Sequence, residues 1–317
     1  MNRFITRKKD KNKYEYFLNK KLIKNIDLIN QIKNIYIPPA YKNVKIYLQN
    51  NLLATGIDKA GRKQYIYSNK MIEKRELKKK NQLLKISDSI LKIKKKIKND
   101  LTKDNFDKNK VIALMIKIMN LCNFRGGSKK YEEKYKSFGL TTLHKKHIKI
   151  ETNQLKIDFS GKKGVQNSCV IKNEKIQNLI KKLYNSNKNS PYLFELNINN
   201  KKIDFSLTDI NNYLSEFNIT CKDLRTWNAN IIFLKNISHN LDQLNSQILD
   251  EKETKKLLRE SIKNTSILLH NTPIVCKNSY ILKNIIDQIQ NNNFINDLKY
   301  NKINYEKFLK ISIKKYN

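Results

Sequence analysis

The hydrophobic pattern changes once along this 317-residue chain, and that change limits what the chain can fold into. Up to about residue 70, apolar side chains come in short β-type runs at 14–18, 44–48 and 64–67, with turn signals such as Pro38-Pro39 between them. Beyond residue 82 they recur at helical spacing. The pattern predicts an α+β protein with a small β-rich N-terminal domain and a larger, mainly α-helical domain.

The segment at 73–81, EKRELKKKN, lies where the two patterns meet. It is highly charged and has few apolar residues, so it is either a linker or the exposed start of the next helix. A chain of this length has room for two domains. We therefore predict one domain over residues 1–76 and a second over residues 77–317.

The second domain is predicted to hold one small sheet among its helices. Runs at 143–150, 155–159 and 168–171 alternate in polarity, which predicts a three-stranded antiparallel sheet with Lys162 at a hairpin tip. A predicted helix ends at Arg125, before the sheet. Other helices are predicted at about 84–93, 174–185, 207–217, 223–238, 251–270 and 274–291, and Tyr280 falls inside the last of them.

The charge of the chain points to a polyanionic partner. Its 65 basic and 28 acidic residues give a formal net charge of +37, which favours nucleic acid. A lysine-rich surface that reflects base composition is the alternative explanation. That alternative does not account for the arginines, which are few and include Arg62, Arg125 and Arg225. A planar, permanently charged guanidinium suits phosphate oxygens or base edges better than an ammonium does.

Several other classes of protein and site are not expected. The N-terminal residues lack the apolar stretch of a signal peptide, and no apolar run is long enough to span a bilayer, so we expect a soluble intracellular protein. The four cysteines lack paired spacing and are predicted to be reduced core residues. His144 and His147 would lie on opposite faces of a strand, so no metal site is predicted.

Residue types that suit phosphoryl transfer occur in distinctive local contexts. A tyrosine hydroxyl such as that of Tyr280 can attack a phosphodiester. Arg125 and Arg225 could hold the charged equatorial oxygens of the transition state. Lys162 could protonate the leaving oxygen, and Asn271 could donate to a phosphate oxygen. The seven glycines form no phosphate-binding loop and carboxylates do not cluster, so neither nucleotide nor metal is predicted.

Each of these residues also has a purely structural interpretation. Arg225 could form an ion pair with Asp223 at the start of a helix, and Arg125 could interact with the dipole of a helix C-terminus. Lys162 could be an ordinary exposed lysine in a turn or a phosphate contact. Asn271 could be the cap of the helix that Pro273 opens.

Four segments resemble those of type IB DNA topoisomerases, in the small form found in poxviruses, giant DNA viruses and some bacteria. Residues 58–67, DKAGRKQYIY, are similar to a DNA-contacting segment of that family. Residues 124–148, beginning FRGGSKKY, resemble its first catalytic-arginine segment, and Lys162 falls on its hairpin lysine. KDLRT at 222–226 and NTPIVCKNSY at 271–280 match its second arginine box and its nucleophile segment.

The resemblance implies a tyrosine recombinase/topoisomerase IB catalytic fold and a C-shaped clamp of the two domains around duplex DNA. It implies relaxation of supercoils through a transient 3′-phosphotyrosyl bond, strand rotation and religation, by a monomer that needs no ATP, cofactor or metal. If the source is viral, the expected setting is the virion or the viral replication compartment. The implied catalytic residues are Tyr280, Arg125, Lys162, Arg225 and Asn271, and the predicted DNA contacts are Arg62, Gln64, Tyr65, Tyr67, Tyr131, Lys163 and Lys222.

One position departs from the family pattern. Poxvirus members carry His where this chain has Asn271, and bacterial-like members usually carry Gly where it has His270. The Asn form occurs within the family, so Asn271 is the predicted phosphate donor and His270 a possible catalytic alternative.

Two other functions are compatible with part of the sequence. A tyrosine recombinase shares the nucleophile, both arginines and the lysine, but its second arginine box usually reads HxxR, whereas this chain has KDLR at 222–225. A non-enzymatic basic DNA-packaging protein would need the charge but no particular tyrosine.

Overall fold

The structure is a computed structural model that describes residues 4–11, 13–48, 50–59, 61–186, 189–199, 201–243, 249–300 and 304–315. The chain divides into two compact units, Met1–Lys78 and Lys79–Asn317. We call them the N-terminal unit and the C-terminal unit.

The N-terminal unit is built on an antiparallel sheet, as the β-type runs predicted. The strands are β1 Ile5–Asp10, β2 Lys13–Leu18, β3 Lys21–Leu22, β4 Lys42–Ile46, β5 Leu52–Ile57 and β6 Lys63–Tyr67. Their order across the sheet is β3-β2-β1-β4-β5-β6. The helix α1, Ile26–Lys33, begins after Asn25, whose side chain accepts a hydrogen bond from the Leu28 N–H. A small core that includes Ile32 and Ile46 holds helix and sheet together.

The charged segment at 73–81 is helical and is not a linker. It forms part of α2, Asn69–Leu101, which starts in the N-terminal unit and continues into the C-terminal unit. The helix needs few apolar residues in this segment, because its packing against the core begins later, at Leu83 and Ile86, which are fully buried.

The C-terminal unit is mainly helical around one large core. Its helix α3, Lys108–Cys122, is buried along most of its length, which explains why its sequence is mostly apolar. The other helices are α4 Lys129–Tyr135, α5 Glu174–Ser186, α6 Leu207–Leu214, α7 Cys221–Asp242, α8 Glu251–Leu268, α9 Pro273–Ser279, α10 Lys283–Gln288, α11 Asn292–Tyr300 and α12 Tyr305–Lys315.

The predicted three-stranded antiparallel sheet is present, and its hairpin tip carries Lys162. Its strands are β7 Ile148–Ile150, β8 Leu155–Ser160 and β9 Gln166–Ile171, in that order. A separate two-stranded hairpin, β10 Glu195–Ile198 and β11 Lys201–Asp204, was not predicted.

The first predicted strand of that sheet was too long, and the placement of its two histidines was wrong. Residues Lys145–His147 form a 3₁₀ turn ahead of β7. Because residues three apart eclipse each other in a 3₁₀ helix, His144 and His147 stack with ring centroids 5.3 Å apart and do not lie on opposite faces. No group of His, Cys, Asp and Glu side chains in the described ranges is arranged to hold a metal ion.

The prediction that all four cysteines are reduced was also wrong. Cys122, the last residue of α3, forms a disulfide with Cys169 on β9, with their Cα atoms 5.4 Å apart. Forty-seven residues separate them, and only the packing of α3 against β9 brings them together. Cys221 and Cys276 are free and buried, as predicted. Among the described helices, none is both long and apolar enough to cross a membrane.

Candidate active site

Arg125 lies in the turn that follows α3, not at the end of the helix itself. The helix stops at Cys122 because Asn123 takes the left-handed conformation, with φ 55°, and buried Phe124 then anchors the turn. The half-buried guanidinium of Arg125 donates from Nη1 to the His270 carbonyl at 3.2 Å and from Nη2 to Asn271 Oδ1. Arg125 is therefore tied to a segment 145 residues away.

The glycines after Arg125 let that turn pack tightly. Gly127 has φ +90°, a conformation that side chains other than glycine rarely adopt. A Cβ on Gly127 would lie 3.0 Å from the Cα of Gly139. Beside this contact the Arg125 carbonyl accepts from the Leu140 N–H at 2.9 Å. The close approach of the two segments holds the backbone of Arg125.

Arg225 lies near the start of α7 and is almost completely buried, with 4% of its surface exposed. Its Nη2 donates to the Leu269 carbonyl at 2.6 Å. The ion pair with Asp223 considered as an alternative does not form, because the carboxylate of Asp223 accepts from the Thr220 N–H and hydroxyl in the N-terminal cap of α7. Thus Leu269, His270 and Asn271 together hold both arginines.

The segment between α8 and α9 determines how His270 and Asn271 are placed. His270 has φ 50°, so the chain turns sharply after α8. The His270 Nε2 lies 3.0 Å from the Cys122 carbonyl, and burial lowers the pKa of this imidazole, as do the charges of the two arginines. Thr272, and not Asn271, caps α9. Asn271 is thereby free to bond Arg125 through its side chain.

Tyr280 directly follows α9 as its C-terminal cap, which corrects the prediction of one continuous helix over 274–291. The helix stops at Ser279, and α10 starts only at Lys283. The break contains neither proline nor glycine. Asn230 on α7, which is fully buried, produces it: Nδ2 donates to the Tyr280 carbonyl at 2.9 Å, and Oδ1 accepts from the Leu282 N–H at 3.0 Å.

Asn230 is a site residue that the sequence reasoning missed. The signal that could have found it is an amide on the inward face of a helix whose buried side chains are mostly apolar, since a buried amide requires partners. Which partners it would have could not be read from the sequence, because they lie about fifty residues further along.

The electrostatics of Tyr280 fit those of a nucleophile. Its ring is 8% exposed, and the guanidinium carbon of Arg225 lies 5.1 Å from the ring centroid. Burial alone would raise the pKa of Tyr280, but the charges of Arg225 and then Arg125 outweigh burial and lower this pKa below its ordinary value. A phenol in these surroundings loses its proton more readily than one in water.

The same cluster contains hydrogen-bond donors with no acceptor. Nε and Nη1 of Arg225 and Nδ2 of Asn271 are buried and have no hydrogen-bond partner in the described part of the protein. A buried donor without an acceptor destabilises the fold, because it has lost its hydrogen bonds to water. Two of these three donors belong to the Arg225 cation. The arrangement next to Tyr280 is suited to an anion with several oxygens.

Lys162 is in a different environment from the other four predicted catalytic residues. It is exposed in the tight turn between β8 and β9, and it makes no hydrogen bond or ion pair with the described residues. The next residue, Lys163, has φ 63°, and Gly164 has φ 72°. The structure thus brings together Tyr280, Arg125, Arg225 and Asn271 through direct contacts or charge, and leaves Lys162 on an open loop.

Predicted DNA contacts in the N-terminal unit lie on or beside β6. Tyr65 is half-exposed and stacks on Tyr67 with ring centroids 6.4 Å apart, while Arg75 covers the other ring at 3.8 Å. Arg62 and Gln64 both donate to Asp58 at 2.8 Å. The hydrogen bond from Arg62 lowers the pKa of Asp58 to about 2, so this carboxylate stays charged and orients both side chains.

The other predicted DNA contacts belong to the C-terminal unit. Tyr131 on α4 is 53% exposed and stacks on Tyr135. Lys163 is exposed beside Lys162, and Lys222 is exposed in the first turn of α7, three residues before Arg225. All three side chains are accessible to a large ligand.

Comparisons with known proteins agree on one family. A family model described as eukaryotic DNA topoisomerase I, catalytic core, matches residues 68–308. A DNA topoisomerase 1B of Acanthamoeba polyphaga mimivirus is 31% identical over 292 residues, covering 89% of this chain and 86% of the relative. The DNA topoisomerase 1B of vaccinia virus (strain Copenhagen) is 26% identical over 289 residues, covering 89% of this chain and 88% of the relative.

Among solved structures, a post-cleavage complex of the XerH site-specific recombinase with palindromic difH substrate is similar at a TM-score of 0.35 and 14% identity. The similarity covers 73% of this chain and 58% of that chain.

Proposed function

The chain belongs to the type IB DNA topoisomerases, and we propose that it cuts and rejoins one strand of duplex DNA through Tyr280. The observation that carries this proposal is the buried cluster beside that tyrosine. Arg225 and Asn271 present three donors without acceptors, and the charges of Arg225 and Arg125 lower the pKa of the phenol. A phosphodiester supplies the anionic oxygens that these donors require.

In the cleavage step, the Tyr280 hydroxyl oxygen attacks the scissile phosphorus, and the bond from phosphorus to the 5′ oxygen breaks. The phenol proton leaves with the solvent or a bound water, while the 5′ oxygen takes up a proton. The product is a phosphotyrosyl bond to the 3′ end and a free 5′ hydroxyl. Negative charge grows on the equatorial oxygens during this step, so fixed guanidinium donors lower the barrier.

Lys162 is the proposed proton donor to the leaving 5′ oxygen. An ammonium on an exposed hairpin tip can reach a bound duplex and donate a proton to the leaving oxygen. Asn271 is proposed to donate from Nδ2 to a phosphate oxygen. The imidazole of His270 already faces the Cys122 carbonyl, which favours Asn271 over His270 for that contact.

Religation follows the same path in reverse. The 5′ hydroxyl attacks the phosphotyrosyl phosphorus, and the Tyr280 oxygen departs and recovers a proton. Between the two steps the cut strand rotates about the intact one, which releases supercoils. Because bond energy is conserved in the phosphotyrosyl linkage, the cycle requires no nucleotide. We propose that it also requires no metal, since the guanidinium groups stabilise the charge and Lys162 protonates the leaving oxygen.

The grip on duplex DNA is proposed to involve both units. In the N-terminal unit, β6 and the turn before it carry aromatic rings and hydrogen-bond donors that suit base edges and phosphates. The rings are those of Tyr65 and Tyr67, and the donors are Arg62 and Gln64. In the C-terminal unit, Tyr131, Lys163 and Lys222 are proposed to contact the backbone. We propose that the protein acts on the duplex as a monomer. The viral origin of the relatives supports a viral replication compartment as its setting.

Incubation with one supercoiled plasmid in EDTA tests the proposed function. The expected result is stepwise relaxation without recombinant products, and no relaxation or covalent complex with Tyr280→Phe. The control is Tyr184→Phe, which alters a tyrosine of α5 in the same unit, outside the proposed site, and is expected to retain relaxation. Absence of relaxation by the wild-type protein would contradict the proposal, and recombinant products would indicate a recombinase.

A further inference from the structure

A lysine side chain on another helix also binds the backbone on both sides of Tyr280. Lys79, on α2, is the first residue of the C-terminal unit. Its Nζ donates to the Asn278 carbonyl at 3.2 Å and to the Ile281 carbonyl at 3.1 Å. These carbonyls lie two residues before Tyr280 and one residue after it.

The contacts of Lys79 complement those of Asn230. Asn230 binds the Tyr280 carbonyl and the Leu282 N–H from α7, whereas Lys79 binds the carbonyls of Asn278 and Ile281 from α2. Four backbone groups within five residues are thus bound by two side chains on different helices. Free carbonyls at a broken helix end would otherwise need water, and the segment would be free to shift.

The cationic character of Lys79 matters at this place. The C-terminal end of a helix carries partial negative charge on its last carbonyls, so the positive charge of an ammonium strengthens its hydrogen bonds to them. Because α9 is only seven residues long, little else within the helix fixes the direction of its last turn.

We infer that Lys79 is a positioning residue that sets the orientation of the Tyr280 side chain for in-line attack. This inference rests on the proposed function, since it assumes that Tyr280 is the nucleophile. Lys79 does not touch the reacting atoms. It acts through the backbone, so its loss is expected to slow the chemical step and to leave DNA affinity nearly unchanged. A displacement of about 1 Å at a reacting group can cost on the order of 100-fold in rate.

The variant Lys79→Met tests the inference, because it keeps the apolar stem and removes the donors. Single-turnover cleavage of a suicide duplex is measured at saturating protein, and affinity is measured in the Tyr280→Phe background. We expect cleavage to slow by about 10- to 100-fold and affinity to change by less than about threefold. Cleavage and religation should slow by similar factors, because attack and departure of Tyr280 pass through the same geometry.

Two variants give the controls. Lys79→Arg retains charge and donors and should recover most of the rate. Lys78→Met removes the same charge from the adjacent exposed position and should cleave like the wild type. Equal rates for Lys78→Met and Lys79→Met would overturn the inference. So would a large loss of affinity with a salt slope reduced by about one in Lys79→Met, which would make Lys79 a phosphate contact.

Failure of the proposed function would look different. A covalent adduct that persists in Tyr280→Phe would reject Tyr280 as the nucleophile, whatever the lysine variants show. An inactive Tyr280→Phe together with equal lysine variants would reject only the role of Lys79.

Discussion

The arginine–tyrosine cluster and the β8–β9 hairpin tip hold the two halves of the proposed chemistry, and they are built in opposite ways. In the cluster, Arg125, Arg225 and Tyr280 are buried or half-buried. The backbone carbonyls of Leu269 and His270 and the side-chain oxygen of Asn271 fix the two guanidinium groups. At the hairpin tip, Lys162 is exposed and makes no hydrogen bond with the described residues. One region is organised before DNA binds, and the other is open.

The difference corresponds to what each region is proposed to do. Stabilising a charged transition state demands donors that are already oriented, because reorienting them would cost energy during the reaction. Giving a proton to the leaving oxygen demands reach. An exposed lysine on a turn can approach a bound duplex and place its ammonium beside the leaving oxygen.

The largest expected effect comes from removing a preorganised guanidinium. Arg225→Ala should slow single-turnover cleavage by about 10³- to 10⁵-fold, the range found when an arginine that stabilises phosphoryl transfer is lost. Arg225→Lys should recover only part of the rate, because an ammonium lacks the planar fork. The measurement is the rate of covalent complex formation on a suicide duplex.

The matched control for that experiment is Arg259→Ala, which removes an exposed arginine of α8. It should cleave at nearly the wild-type rate. A rate for Arg225→Ala within tenfold of the wild type would contradict the idea that the buried cluster carries the charge stabilisation.

Loss of the hairpin lysine should have a smaller effect that depends on the substrate. Lys162→Ala is expected to slow cleavage of ordinary DNA by about 10²- to 10⁴-fold, the usual contribution of a general acid. A duplex with a 5′-phosphorothiolate leaving group needs no proton, so the variant should cleave it almost as fast as the wild type does.

Lys163→Asn is the control for the hairpin, because asparagine tolerates the left-handed conformation of that position and loses the same charge. It should slow both substrates slightly and equally. If Lys162→Ala slowed both substrates equally as well, Lys162 would be a phosphate contact, and the contrast between the two regions would lose its chemical meaning.

A covalent link joins the two regions, and its removal should affect stability more than rate. The Cys122–Cys169 disulfide connects the end of α3, three residues before Arg125, to the strand that follows the hairpin tip. Closing a loop of this size contributes on the order of 4 kcal/mol. Reduction should therefore lower the melting temperature of the wild type, while Cys122→Ala/Cys169→Ala should melt at the lower temperature with or without reductant. An unchanged melting temperature on reduction would contradict this link.

The smallest expected effect concerns the sheet that supports the hairpin. Burial, together with the neighbouring His144 and Lys146, lowers the pKa of His147 to about 4. Between about pH 6.5 and 4, His147 is protonated in the unfolded chain and neutral in the folded protein. The free energy of unfolding therefore falls as the pH falls through that window. His147→Gln does not titrate and should lose fewer degrees of melting temperature between pH 7 and pH 5, about 2–4 °C per kcal/mol. Equal losses in both proteins would reject the assignment.

The sequence predicted the β-rich beginning, the helical remainder, the three-stranded sheet and the place of Lys162, because alternation, helical spacing and turn glycines are local signals. It did not predict where α9 ends. The break at residues 280–282 depends on the Asn230 amide and on Lys79, and neither partner is near Tyr280 in the chain. The helical spacing of the sequence therefore predicted one helix across the break.

Contacts between residues far apart in the sequence explain the other features that were not predicted. The Cys122–Cys169 pair depends on how α3 packs on β9, and cysteine spacing alone indicated free thiols. The pairing of Arg125 with Asn271 spans 146 residues. The motifs identified both residues, but they did not show that one bonds to the other or that Asn271 would keep a free donor.

The most direct test of the central claim is to identify the residue that becomes joined to DNA. Wild-type protein trapped on a suicide duplex is digested with nuclease and trypsin, and the modified peptide is sequenced by mass spectrometry. The account predicts a 3′-nucleotide on Tyr280 within the tryptic peptide 278–283. A nucleotide on another residue, or plasmid relaxation without any covalent adduct, would contradict it.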